Sequence, residues 1–174
     1  GNPFDAELLR DICNEYGIWL IEDCCDVLGG TLRGKLLGSF GDISTLSFYP
    51  AHHITAGEGG ACLTQSPMVA KVLQSFRDWG KSCWCLPGKD NTCGKRFCWQ
   101  EGELPEGYDH KYTFSRIGYN LKATDLQASL LVSQLKKLPF FVEKRRHNWQ
   151  VLREGLDKYK KYFRFMQHIE GANP

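Results

Sequence analysis

The sequence predicts an α/β domain, a mainly parallel sheet with flanking helices. Two observations carry that prediction. Short apolar, β-rich runs alternate with amphipathic stretches of helical spacing, and glycine-rich turns separate them. With 174 residues, 42% of them hydrophobic and 24% charged, the chain is long enough for one domain with its own core.

The elements follow in order. Residues 6–16 place Leu8, Leu9, Ile12 and Cys13 on one helical face, and Gly17 stops the helix. "IWLIED" (18–23) is an apolar run ending in acids, the pattern of a buried parallel strand. "TLRGKLLGSFGD" (31–42) reads as a glycine-punctuated loop, "ISTLSFY" (43–49) as a strand and "GGACLTQ" (59–65) as a short strand. "SPMVAKVLQSFRDWG" (66–80) is a helix with Ser66 as its cap and Pro67 in its first turn. Residues 81–119 form a long irregular stretch containing four cysteines, of the kind that has a function or an internal staple. Helix returns over 122–163, with Thr124 as a cap and a kink expected at Pro139. The expected domains are 1–138, part of a large domain carrying the 81–119 loop, and 139–174, a connecting helix and the start of a smaller domain.

Charge and composition narrow the function classes. A net charge of +2 with scattered basic residues argues against an extended nucleic-acid surface. No apolar run reaches membrane-spanning length and no basic, apolar leader opens the sequence, so no membrane role and a cytoplasmic location are expected. The chain opens on a loop that runs into a helix and stops just after one, so it is expected to be part of a longer chain. Eight cysteines in a reducing compartment point to metal or redox work. Cys13, Cys62 and Cys98 are expected to be small buried hydrophobes instead.

Two further features carry chemistry. Asp23 closes a strand, and ligands of open α/β sheets gather outside the carboxyl ends of strands. An acid there either pairs with a protonated ring nitrogen or caps a loop. "KSCWCLPGKDNTCGK" sets Cys83 and Cys85 with one residue between them and Cys93 after seven more, with 57 residues between Cys25 and Cys83. On spacing alone, a four-cysteine zinc site and an iron–sulfur centre use the same residues. Cys24 and Cys98 are reserve thiols.

"IEDCCDVLGGTLRGKLLGSFGDISTLSFYPAHHITAGEGG", followed by "GYNLKATDLQASLLVSQLKKL" at 118–138, resembles the DegT/DnrJ/EryC1/StrS sugar aminotransferases. The resemblance implies the type I fold of pyridoxal-phosphate-dependent aminotransferases, present here as a partial chain. It implies that Asp23 contacts the pyridine nitrogen, that Ser47 bonds the cofactor phosphate, and that Asn120 reaches the phosphate of a neighbouring subunit in a homodimer.

The sequence departs from the family where a lysine would bond covalently to the cofactor. His52 falls at that position, with His53 as the competing register. Histidine cannot form that link, yet its imidazole moves protons near neutral pH. The cofactor is therefore expected to be held non-covalently, as pyridoxamine 5'-phosphate (PMP). Asp26 and Tyr49 also stand where relatives often carry other residues, and are expected to support the catalytic His52.

With the cysteine spacing added, the resemblance is to the histidine-bearing 3-dehydrases that carry a 2Fe–2S cluster, with Cys25, Cys83, Cys85 and Cys93 as its ligands. It implies a CDP-linked 4-keto-6-deoxyhexose substrate, a flavin- and iron–sulfur-containing reductase as partner, and a place in 3,6-dideoxyhexose and O-antigen synthesis. The alternatives are a cluster-free sugar 3-dehydratase and a relative that only binds or assembles.

Overall fold

The computed structural model describes residues 1–85 and 88–174, so residues 86 and 87 of the expected 81–119 loop lie outside the description. Two compact units divide the chain: residues 1–65 with 123–174, and residues 66–122.

In the first unit, α1 (Ala6–Tyr16) begins at Asp5, whose side chain accepts the Leu8 N–H, and ends at Gly17, whose φ of 63° is a left-handed conformation that suits glycine. The strand β1 (Ile21–Asp23) is shorter than the expected 18–23 run. It is also less buried than expected. It sits at the edge of a three-stranded sheet ordered β1, β4 (Ile43–Ser47), β5 (Gly60–Leu63), with Glu22 buried and Ile21 60% exposed.

β1 and β4 are parallel in the register Ile21↔Ile43, Glu22↔Ser44, Asp23↔Thr45. β5 runs antiparallel to β4. No helix crosses between those two strands, and a parallel return would need one. Close packing at the return leaves no room at Gly60, where a Cβ would stand 2.8 Å from the Leu46 carbonyl oxygen.

The segment 31–42, expected as loop, contains a hairpin of β2 (Thr31–Leu32) and β3 (Lys35–Leu36), and β6 (Ala172–Asn173) adds antiparallel to β2. Arg33 and Gly34, both at positive φ, make the two-residue turn. Ala6, Leu32 and Phe40 are buried together, with Leu37, Ile169 and Ala172 against them.

α3 (Asp125–Asp157) starts from a full capping box between Thr124 and Gln127. Pro139 lies inside it, and it ends six residues before the expected boundary. Gln127 also donates its side-chain amide to the Glu58 carbonyl at 2.9 Å, which ties the Gly57–Gly60 turn to the helix start.

In the second unit, α2 (Pro67–Arg77) has Ser66 as its cap and Pro67 in its first turn, as the sequence predicts. Residues 81–119 are irregular among the described residues apart from a 3-10 turn at His110–Tyr112. Bridges between Asp78 and Asn120, and between Lys81 and Phe114, close the ends of this stretch.

Candidate active site at the carboxyl ends of two parallel strands

Parallel pairing brings the last residue of β1 beside the end of β4, and the polar groups predicted from the sequence collect there. Asp23 Oδ1 accepts the Cys25 N–H at 3.2 Å and the Thr45 hydroxyl at 3.1 Å. The Cys25 thiol, then the Cys25 N–H and the Thr45 hydroxyl, hold this carboxyl below its ordinary value of 3.8. Asp23 is therefore ionised at neutral pH, the state needed beside a protonated ring nitrogen.

Ser47 ends β4, and its hydroxyl accepts the Tyr49 N–H at 3.3 Å. The chain then turns through Tyr49–His52, with the His52 N–H on the Tyr49 carbonyl at 3.0 Å. His52 Nδ1 lies 2.9 Å from Asp26 Oδ1, and the Tyr49 ring meets the imidazole edge-on, with centroids 6.1 Å apart. A carboxylate at Nδ1 fixes the tautomer and leaves Nε2 for proton exchange.

The neighbouring His53 is different. Its Nδ1 is buried without a partner among the described residues, and burial, then Arg145, pushes its pKa below 6.5. His53 is packed as a neutral ring, while His52 carries the paired one.

The structure thus gathers Asp23, Asp26, Ser47, Tyr49 and His52 at one end of the sheet. Asn120 belongs to the second unit, where it is exposed and bridges to Asp78.

The cysteines divide by surroundings. Cys24 is the buried thiol, 3% exposed, and burial followed by the charges of Glu22 and Asp23 raises its pKa to about 11. Cys62 and Cys98 are exposed and Cys13 is half-buried, which corrects the expectation that these three fill the core. Cys62 lies on the edge strand β5, and Cys98 lies in the irregular stretch, so neither has a core to enter.

Cys25 is half-buried, with Sγ 4.0 Å from the Thr45 hydroxyl. In the second unit Cys83, Cys85 and Cys93 are half-buried and lie near enough to shift one another's ionisation. Burial works to raise the Cys85 pKa, but bonds from Thr92, the Cys93 amide and the Cys93 and Cys83 thiols outweigh it and lower it to about 7. Burial and the adjacent Cys85 raise that of Cys83.

Among the described residues, no group of three or more His, Cys, Asp and Glu side chains stands ready-made around a metal position. Cys83, Cys85 and Cys93 are nonetheless free thiols, the soft donor type that suits zinc and iron–sulfur centres.

Sequence reading missed three residues here. Glu22 is 2% exposed, and its carboxylate accepts the N–H groups of Gly38 (2.9 Å), Phe40 (2.7 Å) and Gly41 (2.6 Å), which fixes the Gly-Ser-Phe-Gly loop. An acid inside an apolar run was the available signal. His110 is 1% exposed, with Nδ1 on the Arg96 carbonyl at 3.0 Å, Nε2 at 3.7 Å from Cys93 Sγ, and Trp84 and Trp99 packed around it. Nothing in the sequence marked His110. Thr45 was hidden because strand register sets its contact with Asp23.

Residues 1–172 match the DegT/DnrJ/EryC1/StrS aminotransferase family. The chain belongs to that family. It is 53% identical over 174 residues to the lipopolysaccharide biosynthesis protein RfbH of Salmonella typhimurium, covering all of this chain and 40% of that protein. It is 60% identical over 156 residues to the dTDP-4-dehydro-2,6-dideoxy-D-glucose 3-dehydratase of Saccharopolyspora spinosa, covering 90% of this chain and 34% of the relative.

Among solved structures, an E. coli GDP-4-keto-6-deoxy-D-mannose-3-dehydratase with bound hydrated PLP aligns with a TM-score of 0.75 at 29% identity, over 97% of this chain and 41% of that one. The chain therefore has the aminotransferase-type fold in part, and spans well under half the length of these relatives. No helix among the described residues is long and apolar enough to cross a membrane.

Proposed function

We propose that the chain carries the cofactor-binding face of a PMP-dependent 3-dehydrase acting on a nucleotide-linked 4-keto-6-deoxyhexose. The observation that carries this reading is the His52–Asp26 pair, at 2.9 Å, in the place of the family's lysine. A base is present there, and a group able to tether the cofactor is not. The names of the two sugar 3-dehydratase relatives support the reaction class.

PMP, when bound, supplies an electron-accepting ring that lets the hydroxyl beside the sugar ketone depart. Asp23, held ionised, pairs with the protonated pyridine nitrogen. The Ser47 hydroxyl turns to the phosphate. With PMP bound, His52 Nε2 would be the atom that accepts a proton, while Asp26 steadies the imidazole and Tyr49 packs its edge. Asn120 serves the neighbouring subunit of a homodimer. Residues 1–138 then belong to the large domain, and 139–174 lead into the small one.

The finer reading adds a 2Fe–2S cluster on Cys25, Cys83, Cys85 and Cys93. It would pass single electrons from a flavin- and iron–sulfur-containing reductase. The low Cys85 pKa supports thiolate ligation. The nucleotide implied by the resemblance is CDP, whereas the Saccharopolyspora relative is named for a dTDP sugar. The product serves 3,6-dideoxyhexose and O-antigen synthesis in the cytoplasm, in keeping with the name of RfbH.

The test is metal and sulfide analysis of the full-length protein purified without oxygen, with PMP titration and turnover of CDP- and dTDP-linked 4-keto sugars. About two iron and two sulfide per chain, with saturable PMP binding and loss of the C3 hydroxyl, is the expected result. Zinc without sulfide leaves the cluster-free dehydratase. A protein that binds no PMP is not a dehydrase at all.

A further inference from the structure

His52 stands on a loop whose two limbs are joined at Phe48. The Phe48 N–H bonds the Gly59 carbonyl at 2.8 Å, and the Phe48 carbonyl accepts from the Ala56 N–H at 3.0 Å and from the Thr55 hydroxyl at 2.9 Å. The same Thr55 oxygen accepts the Gly57 N–H at 2.9 Å, where the chain turns at a φ of 83°. Thr55 therefore bridges the start of the loop to the glycine turn that closes it. Its neighbours Ile54 and Ala56 are buried, so the returning limb is anchored on both sides of the hydroxyl. At the tip, the His52 N–H bonds the Tyr49 carbonyl at 3.0 Å, and His52 Nδ1 reaches Asp26, on a different segment, at 2.9 Å. A hydrogen bond of that length tolerates little movement of the tip.

We propose that Thr55 is a positioning residue that sets where His52 stands, by joining the two limbs of its loop. The inference rests on the function proposed above and deepens it. Asp26 fixes the rotation of the imidazole, and Thr55 fixes the backbone that carries it. Threonine suits the task because its hydroxyl donates to a carbonyl and accepts from an N–H, while its branched Cβ restricts the rotamer. Valine keeps that shape and loses both bonds. The fold survives the change, because the Phe48 carbonyl keeps the Ala56 N–H and the exposed Gly57 N–H turns to water. The tip then loosens without unfolding, and a displacement of about 1 Å at a reacting group costs up to about a hundredfold in rate.

The experiment compares wild type, Thr55→Val and Thr55→Ser in the full-length protein. Amide hydrogen exchange without PMP reads the loop, the dissociation constant of PMP reads the site, and deuterium washout from C4′ at saturating PMP reads the base. Thr55→Val should speed exchange at the His52 amide by about 3- to 10-fold, the factor for one lost neutral hydrogen bond, with α3 unchanged. Washout should slow by about 10- to 100-fold while PMP binds as before. Thr55→Ser, which keeps the hydroxyl, should restore both. Washout at the wild-type rate in Thr55→Val overturns the inference, as does a serine variant that fails to restore it. A Thr55→Val protein that unfolds, or that loses PMP affinity as much as rate, shows a structural role and overturns it too. Wild type that binds no PMP, or His52→Asn with wild-type washout, overturns the proposed function and this inference together. Slow washout in His52→Asn with wild-type washout in Thr55→Val overturns this inference alone.

Discussion

At the scale of single residues, the site turns on which nitrogen of His52 is free. Asp26 engages Nδ1 at 2.9 Å but is 77% exposed, so solvent screens its charge and its main effect is to fix the ring. On the proposed function, in which His52 is the base, His52→Asn should slow proton removal about 10²- to 10⁴-fold. Asp26→Asn keeps an acceptor for Nδ1–H, so its loss should be only about tenfold. Washout of deuterium from the cofactor C4′ position in single turnovers measures both. Equal losses in the two variants would give Asp26 a larger part than orientation. His52 itself was legible, because it falls where the family pattern has a different residue, and Asp26 and Tyr49 were legible by the same departure. Thr45 was not. Its partner is chosen by strand register, and the local sequence "ISTLSFY" contains several hydroxyls with nothing to rank them.

At the scale of elements, β1 positions the site through the residue just before Asp23. Glu22 is buried, and both of its oxygens take backbone N–H groups from the loop at Gly38–Gly41. The loop is packed tightly there, since a Cβ at Gly41 would lie 2.5 Å from the Leu20 carbonyl oxygen. Glu22→Gln turns one oxygen into an amide donor that faces a backbone donor. It should cost about 2–4 kcal/mol, since a buried hydrogen bond to a charged group is lost and an N–H is left unpaired. Denaturant unfolding of the full-length protein measures that loss, and a change below about 0.5 kcal/mol, the ordinary range for surface substitutions, would show that the loop does not depend on the charge. Helices were readable because caps and apolar spacing are local: Ser66, Pro67 and Thr124 each stand where the sequence puts them. The hairpin β2–β3 was not. Its turn uses Arg33 at φ 48° beside Gly34, a weaker signal than Asn-Gly, and its third strand β6 comes from the far end of the chain.

At the scale of the whole molecule, the two units are stabilised differently. All the fully buried apolar side chains among the described residues, from Ala6 to Ala56, belong to the first unit. In the second, the buried side chains among the described residues are Ser75, Ser82 and His110, and the contacts described within 81–119 are polar and aromatic. These include the Arg96–Asp109 pair at 2.8 Å, the Trp84–Trp99 contact and the His110–Cys93 approach. Ordering a stretch of this length costs about 1–2 kcal/mol per residue in backbone entropy. Metal ligation at Cys83, Cys85 and Cys93 would offset part of that cost, because binding energy at a thiolate site is folding energy. Limited trypsin digestion of the full-length protein tests the point, since Lys89, Lys95, Arg96 and Lys111 all lie in the stretch. With metal bound, cleavage at these sites should be slow, and chelation should speed it by about tenfold or more, the factor for each 1.4 kcal/mol of lost local stability. Cleavage within α3, which carries none of the proposed ligands, should stay unchanged. Equal cleavage of the 81–119 stretch with and without metal would mean that its aromatic and ionic contacts suffice, and that the cysteines do not organise it.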